Sequence, residues 1–397
     1  MPDEVSIAGR RSWNRFFSAL RLVGAIRQAF DLRKLAIAAL GLALLQSGWS
    51  LLDRVVSVAG DATPNVFESS APTNSVSVKD PWSSVNLSHY HSRLSEPVRL
   101  LTAPLLALVE PGTSWRRMLH ALVSVIWLLV VWGICGGAIS RIAIVRFATM
   151  RTMKLIDAVR FALQSAGPLI LAPLCPLIGL AFCSVTGAAF GLIYRLPAVG
   201  PALAGALLIV PLAAGLVMTL LVAGLVAGWP LMHAAIAGGA EDSLDALSRI
   251  FGYVNQRLGP LAALVGLAWI EGMLGLAIVD LLTQGVIRLT HWSLDLTGPA
   301  AVTAVFFGSP AISSGAMAGA THRFWLGLVR LLAHAWVFSF FWTVAAYLYL
   351  WLRQDVDGQS MTEIEPDSTT TPAPGWAGAG DENAPHPGPP PQGGRGL

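Results

Sequence analysis

The chain has 397 residues, 54% of them hydrophobic and 12% charged, with a formal net charge of +3. A mean hydropathy of +0.61 and a charge content well below the roughly 25% of soluble domains exclude an ordinary soluble globule. Its basic residues cluster beside apolar runs, which speaks to orientation in a membrane and excludes a nucleic-acid surface.

Several apolar runs reach the ~20 residues needed to cross a hydrocarbon core about 30 Å thick, where each backbone polar group must be satisfied within its own segment. The fold class expected is all-α: a polytopic transmembrane bundle of six spans in three helical hairpins, each preceded by an in-plane amphipathic helix on the cytoplasmic side. Cys135, Cys175 and Cys183 fall inside apolar runs with no CxxC pair, and read as small buried hydrophobes.

Residues 1–34 carry seven basic residues and form a basic cytoplasmic amphipathic segment with Trp13, Phe16, Phe17, Leu20 and Gly24 on one helical face. Its length and lack of a small-residue cleavage site make the first span, 35–52, a retained anchor. Residues 53–117 form an outer loop rich in Ser, Asn, Pro and Thr. Within it Ser95 reads as the N-cap of a helix of about 14 residues, with Glu96 and Pro97 in its first turn, too short to span and expected to rest on the outer membrane face. His89 and His91 make an H-x-H pair read as solvated loop histidines, since nothing nearby completes a metal site. Asn86-Leu87-Ser88 fits a glycosylation acceptor, which matters only in a secretory lumen.

The second span, 118–139, is followed by Arg141, Arg146, Arg151, Lys154 and Arg160, which assigns that loop to the inside. In 153–163, Leu155, Ile156, Val159, Ala162 and Leu163 share one arc opposite Lys154, Asp157, Arg160 and Gln164, giving an in-plane helix that turns at Gly167-Pro168. The third span, 168–194, contains Pro173 and Pro176, which should bend or interrupt it. The fourth, 203–231, contains Gly224-x-x-x-Gly228, a pattern that lets a neighbouring backbone approach closely.

Residues 241–258 give the cleanest amphipathic pattern, with Leu244, Leu247, Ile250, Phe251, Val254 and Leu258 on one side and Asp242 or Ser243 as the cap. The chain turns at Gly259-Pro260 into the fifth span, 260–282. An outer segment, 283–325, leads to the sixth span, 326–351, whose aromatics suit an interfacial belt near its cytoplasmic end. The glycine- and serine-rich stretch 299–318 is a loop or a re-entrant segment. Residues 353–397 read as a disordered cytoplasmic tail, and Asp355-Val-Asp357-Gly358 departs from a calcium loop by an early glycine. The three in-plane-helix and hairpin units begin near Arg11, Arg151 and Glu241, and LIDAVRFAL matches SLDALSRIF best.

Three segments, GGAISRIAIVRFA, EDSLDALSRIFGYVNQR and LRQDVDGQSMTEI, make the chain similar to an uncharacterised family of multi-pass bacterial membrane proteins. The resemblance implies a bacterial cytoplasmic (inner) membrane setting and no activity, cofactor or catalytic residue.

Charged groups at bilayer depth are functional candidates by default. Counted at about 1.5 Å per residue, Glu271 sits about 16 Å in from the inner edge and His334 about 12 Å in from the outer edge, nearly one depth. Glu271 is therefore expected to face His334, and Asp280 to face Arg330, across the last hairpin. The four either handle protons or ions or fix how that hairpin packs, and the second use is preferred.

No GxSxG, HExxH, Walker loop or GxGxxG is present, so neither catalytic chemistry nor a cofactor or metal site is expected. A non-enzymatic membrane scaffold or assembly factor is the leading function, with the lipid bilayer and other membrane proteins as partners. The alternative is a transporter or channel using Glu271 and His334. A lipid enzyme would need His89, His91 or His322 to meet a carboxylate at the outer surface.

Overall fold

A computed structural model describes residues 24–56, 87–110, 112–197, 199–240, 242–296 and 316–361. Residues 1–23, 57–86 and 297–315 and the chain beyond 361 lie outside it, and so do the basic segment's aromatic face, most of 299–318 and the glycosylation acceptor's Asn86. The described residues are all-helical. In chain order the helices are α1 (Gly24–Ala29), α2 (Leu32–Val56), α3 (Leu87–Leu94), α4 (Glu96–Val109), α5 (Trp115–Thr149), α6 (Leu155–Gln164), α7 (Ala166–Ile193), α8 (Gly200–Ala206), α9 (Ile209–Ala237), α10 (Ser243–Gln256), α11 (Leu258–Asp295) and α12 (Ala316–Asp357).

Six of them, α2, α5, α7, α9, α11 and α12, are long and apolar enough to cross a membrane. Several outrun the expected spans. α5 continues through Arg141 and Arg146 to Thr149, so the second span and the start of the following loop are one helix. α11 extends to Asp295 and α12 to Asp357, so the tail expected to be disordered from residue 353 begins as helix, with Arg353 buried. α7 runs unbroken through Pro173 and Pro176. The missing N–H groups cost hydrogen bonds, yet both proline rings are themselves buried among neighbouring residues.

The core lies between α2, α5 and α12. α2 and α5 run antiparallel with small residues at the crossing: a Cβ on Gly41 would lie 3.2 Å from the Cys135 Cβ, and one on Gly48 only 2.0 Å from the Trp127 Nε1. The aromatics of α12 fill this core instead of forming an interfacial belt. Trp336, Phe338, Trp342, Tyr347 and Tyr349 are each at most 1% exposed, and Phe338 stacks on Trp132 at 4.6 Å. Large rings bury the most area per residue and favour offset stacking, so a ring-rich helix is drawn to the centre.

Polar ties fix the far end of the core. Lys34 is buried with its Nζ 3.0 Å from Thr343 Oγ1, and Ser339 donates to the Ala29 carbonyl at 2.8 Å. The last carbonyls of α9 are captured by two cations, Arg141 donating to Ala237 O at 2.7 Å and Arg353 to Gly238 O at 3.3 Å. Cations at a helix C-terminus satisfy orphan carbonyls and oppose its dipole, so these two arginines clamp α5, α9 and α12 together.

α7 and α9 pack on each other along their length, and α9 leaves Ile209, Leu212, Leu216 and Leu220 each at least 61% exposed. α10 lies against α9: a Cβ on Gly224 would meet the Phe251 ring at 2.4 Å, and one on Gly228 would meet Ile250 at 3.3 Å. The small-residue pattern therefore receives α10. Asp242 caps α10 by accepting from the Asp245 N–H at 2.7 Å. Ala246, Ile250 and Tyr253 are the buried face of α10, with Leu247 and Val254 of the expected stripe packed beside them, while Leu244, and Leu258 at the start of α11, are exposed.

Candidate functional site

The segment expected to rest on the outer surface instead enters the bundle. α4 packs against α5, α9 and α12, and Leu100, Leu101 and Leu105 are buried there. Ser95 precedes α4 as expected, but its hydroxyl donates back to Ser92 O and does not cap the helix. α3, which holds both loop histidines on a helix and not a strand, packs on α11 and leads directly into α4.

This placement changes the partners of the candidate residues. His334 does not pair with Glu271. Its Nε2 stands 3.1 Å from Glu96 Oε2, with the side chains 1% and 0% exposed. The approach is an ion-pair contact, since neither side chain makes an aligned hydrogen bond. Arg99 adds a cation 3.7 Å from Glu96 Oε1. Asp280 does not pair with Arg330. It accepts from Arg93 Nη1 at 2.5 Å, and His89 Nε2 lies 3.8 Å from its other oxygen. Arg330 makes no hydrogen bond or ion pair among the described residues.

The depth count failed for a physical reason. α11 and α12 are antiparallel, and their contacts set the register: a Cβ on Gly275 would meet Trp336, and one on Gly272 would meet Phe340. Glu271 thus lies level with the Phe340 turn, more than a helical turn deeper than His334. α11 begins at Leu258, close to the expected Pro260, whereas α12 begins at Ala316 and not Leu326, so His334 lies further along its helix than a span from Leu326 implies.

Glu271 is 7% exposed, and both its carboxylate oxygens are buried without a hydrogen-bond partner among the described residues. A Cβ on the next residue, Gly272, would lie 3.0 Å from Leu94 of α3. Nearby, His91 sits against the Trp269 ring at 5.2 Å. The arrangement is a band of charge, Glu96, His334, Arg93, Asp280 and Glu271, that joins α3 and α4 to α11 and α12. Among the described residues no group of three or more His, Cys, Asp or Glu could hold a metal.

Among the buried polar groups that escaped the sequence reading are Lys34, Glu96 and His233. His233 is fully buried, its Nδ1 3.0 Å from Trp229 O and its ring 4.9 Å from that of Trp342. For Glu96 a signal existed, since it falls one turn before Leu100 and so on the same side of its helix. The other two sit in runs whose neighbours give no such contrast. No protein-family model, curated protein or solved structure matches the chain.

Proposed function

We propose that the chain is a non-enzymatic membrane scaffold or assembly factor. In this reading three units, each an in-plane amphipathic helix and a hairpin of two spans, sit in a bacterial cytoplasmic membrane with both termini inside. The supporting observation is the Glu96–His334 contact, which sets two deep polar side chains against each other at 1% exposure or less and so fastens α4 to α12. Polar groups that answer one another inside a filled core define how helices pack. The outward apolar side chains of α9 supply surface for lipid or a further membrane protein.

Proton or ion transfer is the second reading, favoured by the buried Glu271 carboxylate that has no partner among the described residues. Reconstitution into vesicles carrying an internal pH indicator separates the two. The scaffold reading expects proton entry no faster than into empty vesicles, with or without Glu271→Gln. Entry above that background, lowered by Glu271→Gln or Glu96→Gln, supports transfer and ends the scaffold reading.

A further inference from the structure

α6 touches the bundle through two small residues and through Phe161, whose ring lies 4.7 Å from the Arg141 guanidinium. Ala158 and Ala162 are fully buried, while Leu155, Ile156 and Leu163 are exposed, Ile156 by 64% and Leu163 by 57%. Just before α6, Met150 ends α5 in a left-handed conformation at φ 56° and is itself exposed. Arg151, Lys154 and Arg160 stand exposed among these apolar ends, and none has a side-chain hydrogen bond or ion pair among the described residues. Arg146 and Arg33 converge on the same elbow by donating to Met150 O at 2.9 Å and Met153 O at 2.5 Å. The first N–H groups of α6 add positive dipole there, since Lys154 at the cap position makes no side-chain cap. Asp157 is the one exposed carboxylate within α6.

α10 supplies the contrast. Its Arg249 is held 2.7 Å from Asp245, and the adjoining Arg257 is held 2.7 Å from Asp355. Its cations are answered within the chain, and so is Arg33 at the elbow, by Asp31 at 2.8 Å, whereas Arg151, Lys154 and Arg160 are not. Unanswered cations interleaved with exposed aliphatic side chains match one chemistry, a phosphate monoanion carried on acyl chains.

We propose that the α5–α6 elbow binds an anionic phospholipid, its headgroup phosphate held by Arg151, Lys154 and Arg160 and its acyl chains lying on Leu155, Ile156 and Leu163. The site rests on the reading of α6 as an in-plane membrane helix. It recognises a lipid and not a free anion, because the cations alone form no enclosed cradle and the aliphatic surface supplies the remaining contact.

Each cation at a membrane surface is worth roughly five-fold in affinity for anionic lipid. The test uses the full chain in neutral detergent, titrated with phosphatidylglycerol or phosphatidylcholine, with bound lipid counted by native mass spectrometry. Phosphatidylglycerol should bind preferentially, and the triple exchange Arg151→Gln, Lys154→Gln, Arg160→Gln should weaken it at least ten-fold while leaving phosphatidylcholine binding unchanged. Arg249→Gln, which removes a cation already paired, should leave both lipids as they were. If the triple variant does not fold, each single exchange should still cost about five-fold. Equal binding of the two lipids, an unaffected triple variant, or displacement of phosphatidylglycerol by millimolar inorganic phosphate overturns the proposal. Vesicle proton entry is independent of this outcome, so the scaffold reading stands or falls separately.

Discussion

His334 on α12 holds Glu96 on α4 at 3.1 Å, and neither side chain is more than 1% exposed. Removing His334 leaves the buried Glu96 carboxylate with Arg99 at 3.7 Å as its remaining partner, and a buried polar group deprived of a partner costs about 1–3 kcal/mol. His334→Ala should therefore destabilise the bundle by that order in reversible unfolding from mixed micelles. Replacing both with leucine should recover most of the loss, because no polar group deprived of its partner remains. A single exchange costing below about 1 kcal/mol is incompatible with the pair as described.

Asp280 tests the second correction. It accepts from Arg93, which is 7% exposed, and not from Arg330. Arg93→Gln should cost about 2 kcal/mol, the scale of a hydrogen bond to a charged group. Arg330→Gln should stay within about 0.5 kcal/mol, as for residues without a specific partner. The reverse order of the two losses would restore the pairing expected from depth alone.

Gly48 lies where α2 meets the Trp127 indole, whose Nε1 donates to Leu44 O at 3.2 Å. A methyl group there would stand 2.0 Å from that nitrogen. Gly48→Ala should force the ring aside and lose about 1–3 kcal/mol, as overpacking does. Gly167→Ala, where an added Cβ meets nothing within 4 Å, is the matched control and should be near neutral.

At the α10–α12 junction the Tyr253 hydroxyl donates to the Asp357 carboxylate, and Arg257 pairs with Asp355 at 2.7 Å. Burial first, and then the bond to Asp357, push the Tyr253 phenol above its ordinary value. A raised phenol binds its proton more tightly in the folded state, so its contribution is complete below the unfolded value of about 10 and is lost as pH rises through the folded one. Alkaline titration of stability should show this loss in the wild type and not in Tyr253→Phe.

Much of the bundle was legible in the sequence because lipid imposes a single rule on every span: long apolar runs must be helices. The six long helices, the 14-residue helix from Glu96 and the Asp242 cap all follow from local pattern. Which faces meet is not local. α10 shows the limit, since its largest apolar residues include Leu244 on the outside, while Ala246 and Tyr253 are buried, Tyr253 bonding to Asp357 at the end of α12, and Ile250 and Phe251 meet the glycines of α9. In lipid, size does not decide burial, and close approach favours the small residue. The candidate residues were found, but two of their partners, Glu96 and Arg93, were assigned to an outer loop by its polarity. α4 carries Glu96 one turn before the buried Leu100, and that feature outweighs the polarity of the surrounding stretch.

The central claim is that α4 lies inside the bundle with Glu96 sealed against His334. Its most direct measurement is labelling of Leu101→Cys, in a cysteine-free background, with a membrane-impermeant maleimide in sealed vesicles of either orientation. Leu101 is 1% exposed, so the account predicts no labelling from either side until the protein is denatured. Rapid labelling in intact vesicles would place α4 on the membrane surface and contradict the account.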